Sequence, residues 1–275
     1  MANSIKTLQN SLEKEFSMPF TVRSVNHDGE NHYVFFPDND GKELFEVDVH
    51  IQNRVRSVVH VYPQLHAGNM LSDMSKASPE KINMFLEFAE ALKKRGAKVY
   101  FTIDQVPCVL DNHFSFPDTW HSFDLRITKG AAFDESKDLE EDIIADWAIV
   151  SVSMMLSLLN VTDAGTADSG YAEGNKYQVV VNKYERNPIN RELCLAIKGY
   201  KCQVCGFDFE KKYGTIGHHF IHVHHLTPVS KVGPDYVIDP SKDLVPVCPN
   251  CHAMLHRKDP PYTPEEVLAM ISKKN

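Results

Sequence analysis

The stretch Phe220-Ile-His-Val-His-His-Leu-Thr-Pro-Val-Ser230 sets three histidines, His222, His224 and His225, within four positions just ahead of a proline. Further along, Cys251-His-Ala-Met-Leu-His256 carries two more imidazoles four apart. On a helix that spacing puts His252 and His256 on one face about 6 Å apart, near enough to reach one ion. His224 reads as the end of a strand. Together with His252 and His256 it would supply three imidazoles and leave positions open for water and substrate, as a catalytic metal centre requires. His225, adjacent but not needed as a ligand, is free to act as a base near neutral pH. Any one of these histidines alone would read as a surface or core residue; the joint pattern reverses that. His222 shares a strand face with His224 and could orient a ligand, touch phosphate or face solvent. His218 and His219, after Gly217, read as hairpin-loop residues.

A second metal pattern encloses the first. Cys202-Gln-Val-Cys205 and Cys248-Pro-Asn-Cys251 are two Cys-x-x-Cys turns separated by 42 residues. Four thiolates in a tetrahedron make a closed structural zinc site, which holds together a small domain with little core. A redox dithiol is the alternative, but such pairs occur singly at a helix start, and here two recur in one segment. Cys251 lies about 100° round the helix from His252. One helix can therefore serve a structural zinc with its first turn and a second ion with another face. Cys108 and Cys194 have no partner at ligand spacing and read as core thiols.

The elements that must position these residues follow from periodicity. Upstream, the pattern predicts a helix at 4–16, strands near 20–26, 32–37, 43–51 and 54–62, a helix at 79–95, strands near 98–103 and 121–128, and a helix at 138–160. Strands grouped with helices around them predict an α+β fold with a mostly antiparallel sheet. The apolar run 143–161 contains Asp146, serines and Asn160, so it reads as a buried helix rather than a membrane span. The segment His113–His121 could line a ligand pocket, although a hydrophobic loop packed on the sheet fits its aromatic residues better. The turn-prone stretch 162–176 marks the expected linker between a domain at 1–161 and one at 177–275.

The chain has 275 residues and a net charge of −8, distributed as about +4 from residue 176 onward and −12 before it. The C-terminal part can approach a polyanion, whereas the N-terminal part is poorly suited to gripping phosphates by bulk charge. No secretion signal is read at the N-terminus, and a cytoplasmic location is expected, where thiols stay reduced.

The ordered set Cys-x-x-Cys, His-His-Leu-x-Pro and Asp-Leu-Val-Pro-Val-Cys-Pro-Asn-Cys-His-x-x-x-His resembles the HNH endonucleases, specifically the zinc-knuckled, McrA-like restriction type. The resemblance covers about residues 180–270, including Tyr184-Glu-Arg-Asn-Pro188 and a helix at 191–198. It implies a ββα-metal fold: a hairpin with the paired histidines, then a helix with the last ones. It further implies His225 as the base that activates water, His224, His252 and His256 as ligands of a catalytic divalent ion, and the four cysteines as zinc ligands. The family's middle Asn falls at Asp243, which could brace the loop or bind the ion; Asn250 lies within the second knuckle and is not its equivalent. Lys211, Lys212, Arg257 and Lys258 flank the site and could hold a nucleic-acid backbone. The implied activity is metal-dependent DNA cleavage in restriction or phage defence, with Mg or Mn as the ion and Ni, Co or Zn as alternatives. The acidic N-terminal domain would then select the target, regulate, or form a homodimer. A non-catalytic zinc module that binds nucleic acid or protein, and a toxin-like nuclease acting on RNA, are the competing readings.

Overall fold

The computed structural model describes residues 2–39, 42–64, 67–130, 140–159, 188–227, 238–258 and 260–272. Eight strands form one sheet: β1 (Phe20–His27), β2 (Glu30–Asn39), β3 (Lys42–Glu43), β4 (Phe45–Gln52), β5 (Arg56–Pro63), β6 (Lys98–Ile103), β7 (Val106–Cys108) and β8 (Phe123–Gly130). Their order is β1-β2-β4-β5-β8-β6-β7, with β3 paired to β2, and every pairing is antiparallel. The period-two pattern explains why one face is dry. Phe45, Val47 and Val49 of β4, Val59 and Val61 of β5, and Leu125 and Ile127 of β8 are all fully buried. The alternate residues Glu46, Asp48, His60, Asp124 and Arg126 decorate the other face.

Helices α1 (Ala2–Phe16), α3 (Pro79–Lys94) and α4 (Glu140–Leu156) cover the dry face, close to their expected spans. Each fully buried Phe or Leu in this layer, such as Phe85, Phe88 or Leu12, contributes about 2 kcal/mol by leaving water. Helix α4 opens with Glu140, Glu141 and Asp142, which suit the positive end of a helix dipole. It then turns apolar on most sides because it lies between the sheet strands β4 and β5 and the later helix α5 (Pro188–Lys198). The buried-helix reading of the apolar run therefore holds, and among the described residues no helix is long and apolar enough to cross a membrane. The expected linker at 162–176 lies outside the described residues.

Helix α2 (Gly68–Ser75) and strand β7 were not expected. Ala67 caps α2 without a side-chain hydrogen bond, so the sequence carries no start signal there, yet Met70, Leu71 and Met74 bury against the core. The His113–His121 segment packs as a hydrophobic loop: Phe114, Phe116 and Trp120 join Phe85, Phe101 and Phe123 in a ring cluster.

The C-terminal part adds α6 (Phe209–Tyr213), a 3-10 turn (Gly214–Gly217), the antiparallel pair β9 (His222–His225) and β10 (Leu244–Val247), then α7 (Pro249–Leu255) and α8 (Pro264–Ser272). This is the ββα order expected of it. Val204, Ile221, Val245, Val247, Leu255 and Val267 form its small core. Helix α5 belongs to both cores: Leu193 and Ala196 pack into the large one, Leu195 into the small one. Lys198 Nζ also donates to the Leu244 carbonyl of β10, and Arg191 Nη2 to the Ile221 carbonyl at 3.3 Å.

Candidate metal centres

The two cysteine turns meet. Gly206 at φ +73° lets the first chain segment turn tightly after Cys205, and the Cys205 N–H donates to Cys202 Sγ at 3.5 Å. In the second turn Cys248 caps α7, with the Cys251 N–H donating to Cys248 Sγ at 3.4 Å. The sulfurs of all four residues lie within 4.8 Å of one another, and Cys205 Sγ and Cys248 Sγ are 3.8 Å apart. A zinc tetrahedron with Zn–S bonds near 2.3 Å has edges of roughly 3.8 Å, so the donor set fits that ion in chemistry and size. Burial pushes the Cys251 thiol well above its usual value, and a bound cation is what would make such a buried thiolate tolerable.

The second centre is built from β9 and the other side of α7. Cross-strand pairing of His224 with Val245 places the imidazole of His224 in a buried position facing α7. His252 and His256, one helical turn apart, face it. Their ring centroids are 5.3 Å (His224–His252), 4.9 Å (His224–His256) and 4.9 Å (His252–His256) apart, with interplanar angles of 72°, 80° and 79°. One nitrogen from each lies within 4.8 Å of the others. Burial, then the neighbouring His252, His256 and His225, depress the His224 pKa to about 4, so it is neutral with a lone pair at physiological pH. Three convergent imidazoles, with His224 neutral among them, fit a divalent ion. His222 stands beside them, its Nδ1 sharing a hydrogen bond with His252 Nδ1 at 3.2 Å. A ring nitrogen engaged in this way fixes the tautomer of its partner.

His225, the last residue of β9, is half-buried and stays out of the convergent set, opposite Leu244 at the mouth of the hairpin. Asp243 sits next to it in the chain pairing, since the Leu226 N–H donates to the Asp243 carbonyl at 2.7 Å. The Asp243 carboxylate accepts from the Asp239 N–H at 2.8 Å and so braces the 239–243 loop. It is absent from the metal-competent groups among the described residues. Lys211 and Lys212 on α6 and Arg257 and Lys258 after α7 are all exposed, with Lys258 Nζ 5.2 Å from the Tyr262 ring centre. Of the two remaining cysteines, Cys194 is buried with its thiol pushed up to about 11, whereas Cys108 is only half-buried on edge strand β7.

Sequence reading missed a second histidine cluster. His218 Nε2 and His219 Nδ1 donate to the two oxygens of Asp146 on α4 at 2.8 and 2.9 Å. His218 Nδ1 approaches Glu210 Oε1 at 3.2 Å, so both its nitrogens donate and the ring is cationic; Asp146, despite burial, and Glu210 raise its pKa to about 9. The rings of His218 and His219 stack at 3.9 Å, and Tyr200 stacks on His219 at 3.7 Å with an interplanar angle of 1°. Gly217 makes this possible, because a Cβ there would lie 2.3 Å from the Phe209 carbonyl oxygen. His219 itself holds φ +50°, a conformation costly for a residue with a Cβ. The available signal was a lone carboxylate in the apolar run of α4, which needs a partner somewhere.

Residues 202–258 match the HNH endonuclease family. No curated protein and no solved structure matches the chain. Residues 202–258 thus form an HNH domain, a type that suggests metal-dependent nuclease activity, and their four-cysteine cluster is compatible with zinc.

Proposed function

We propose that this protein is a DNA endonuclease of the zinc-knuckled, McrA-like kind, in which Cys202, Cys205, Cys248 and Cys251 hold a structural zinc and His224, His252 and His256 hold a catalytic divalent ion. The single observation that carries this reading is the meeting of three near-perpendicular imidazoles with a fourth, His225, left outside them at the strand end. A divalent ion held there would offset phosphate charge and stabilise the leaving 3′ oxygen. His225 takes the proton from the attacking water, giving a 5′-phosphate and a 3′-hydroxyl. Asp243 positions His225 by bracing the loop that pairs with the strand end. Lys211, Lys212, Arg257 and Lys258 hold the nucleic-acid backbone without reading its sequence. Mg or Mn is the favoured ion, although an all-imidazole set also accepts Ni, Co or Zn.

The acidic sheet domain selects the target, regulates cleavage or dimerises, and the biological setting is restriction or phage defence in the cytoplasm. The test is cleavage of plasmid, methylated plasmid and RNA in Mg or Mn by the intact protein and by His225→Ala. Cutting of DNA is expected to fall by about 10²–10⁴-fold in the variant while zinc content is unchanged. Undiminished cutting would sink the assignment of the base, and cleavage of RNA alone would sink DNA as substrate.

A further inference from the structure

Between the sheet and the HNH domain, apart from both metal centres, lies a cavity of about 370 Å³. Arg56 of β5 and Lys129 of β8 reach it from neighbouring strands, Arg95 from the end of α3, and Arg191 from α5. The carboxylates on its wall are Glu15, Glu192 and Asp146, and the last is already taken by His218 and His219. Burial, against the opposing pull of Arg191, raises Glu192 to about 7, so at neutral pH it is not a full counter-charge. Permanent positive charge therefore exceeds free negative charge on this wall.

The cations are also short of partners. Among the described residues no carboxylate forms an ion pair with Arg56, Arg95 or Lys129, and Arg191 reaches Glu15 and Glu192 only at 3.9 and 3.8 Å. Arg191 Nη1 is buried with no hydrogen-bond partner among the described residues. Burial and the charge of Arg95 lower the Lys129 pKa, which means that two like charges share a poorly solvated space. An anion would relieve both costs. Most of the rest of the wall is apolar or flat, including Leu92, Ile143, Val150, Trp147 and Tyr200. A volume of this order at a junction between domains, with clustered cations at a mostly apolar surface, is the make-up of a small-ligand site.

We propose that this cavity binds a small phosphate-bearing molecule with a planar ring, the chemistry of a mononucleotide, and that the ligand bridges the sheet and the HNH domain. The bridging follows from the walls: Arg56, Lys129 and Arg95 come from the sheet side, Arg191 and Tyr200 from the segment leading into the HNH domain. The inference does not depend on cleavage, since its readout is binding alone.

The experiment is calorimetric titration of the full chain, without added divalent ion, with AMP, GMP and ATP beside adenosine and inorganic phosphate. At least one nucleotide is expected to bind, with adenosine and phosphate each weaker by about tenfold or more. The Arg56→Gln/Lys129→Gln double variant is expected to weaken nucleotide binding by about tenfold or more, while His256→Ala leaves it unchanged. Absence of nucleotide binding, equal binding of adenosine or phosphate, an unaffected double variant, or loss in His256→Ala would each overturn the proposal; the last would move the ligand to the metal centre. Should the double variant fail to fold, Trp120→Phe leaves Trp147 as the sole tryptophan reporter of the two in the chain. Nucleotide is then expected to change its fluorescence, and an unchanged signal at saturating ligand counts against the site.

Discussion

Around His224 three imidazoles meet edge to face, at 72–80°, whereas around Asp146 the rings of His218 and His219 lie nearly flat on one another at 18°. Both groups bring their ligand atoms within 4.8 Å, so distance alone does not distinguish them. Ring orientation does. A metal ion lies in the plane of each imidazole that binds it, along the nitrogen lone pair. Rings crossed at steep angles can share one such point, but two parallel rings 3.9 Å apart cannot. A carboxylate has two separate oxygens and can satisfy parallel rings, one each. The protonation states follow the same division: His224 is held neutral by its own burial and the neighbouring imidazoles, while His218 is held charged against Asp146 and Glu210. The first cluster suits an ion; the second is a clamp from the HNH domain to helix α4.

The largest effect that would break this comparison is on metal content and cutting. His256→Ala should lose the ion proposed at this centre and reduce cleavage below detection, with Asp146→Asn retaining the same number of ions per chain; metal analysis of both variants decides it. A lost ion in Asp146→Asn would show the clamp to be a metal site after all. Next, Asp146→Asn should cost about 2 kcal/mol in denaturant unfolding, as expected for breaking a mostly buried, hydrogen-bonded charge pair.

The clamp should also respond to pH with a defined sign. The folded state raises the His218 pKa to about 9, so its contribution is fully present below the unfolded value near 6.5 and is lost as pH rises towards 9. Asp146 is lowered, so its share is present above about 4 and fades only in acid. Asp142 and Glu210 also face these rings and favour their charged form. The stability gap between the parent protein and Asp146→Asn should therefore narrow between pH 6.5 and 9, and unfolding curves across that range check it. His222→Ala should weaken binding of the ion proposed at His224, His252 and His256 by about tenfold in a metal titration, because His252 loses the bond that fixes its tautomer. Smallest, Tyr200→Leu should cost about 1 kcal/mol of stability through the lost stack on His219.

The sequence was most informative where chemistry is local. Cysteines in x-x turns and histidines four apart on a helix announce their geometry within one turn of chain, and the structure brings both sets together. The sheet was legible for the same reason, since alternation in Phe45–Gln52 or Arg56–Pro63 is written residue by residue. Helix α2 was not, because its N-cap Ala67 offers no capping side chain and the helix owes its form to Met70, Leu71 and Met74 finding the core. The clamp was illegible for a different reason: Asp146 and His218 are 72 residues apart, and the turn that aims the histidines depends on Gly217 passing against a carbonyl. His218 and His219 are not in the hairpin loop as expected: they lie in the turn ahead of β9, and their role belongs to the distant helix.

Helix α5 has a mechanical meaning of its own. With Leu193 in one hydrophobic core and Leu195 in the other, it behaves like a beam built into two walls. Neither wall can melt without stripping one side of the beam, so heat or denaturant should bring both down in a single cooperative step, and the amides of α5 should be among the last to exchange their hydrogens. A fragment that begins just after Lys198 would retain every proposed metal ligand and still start its existence with a hole where Leu195 had been.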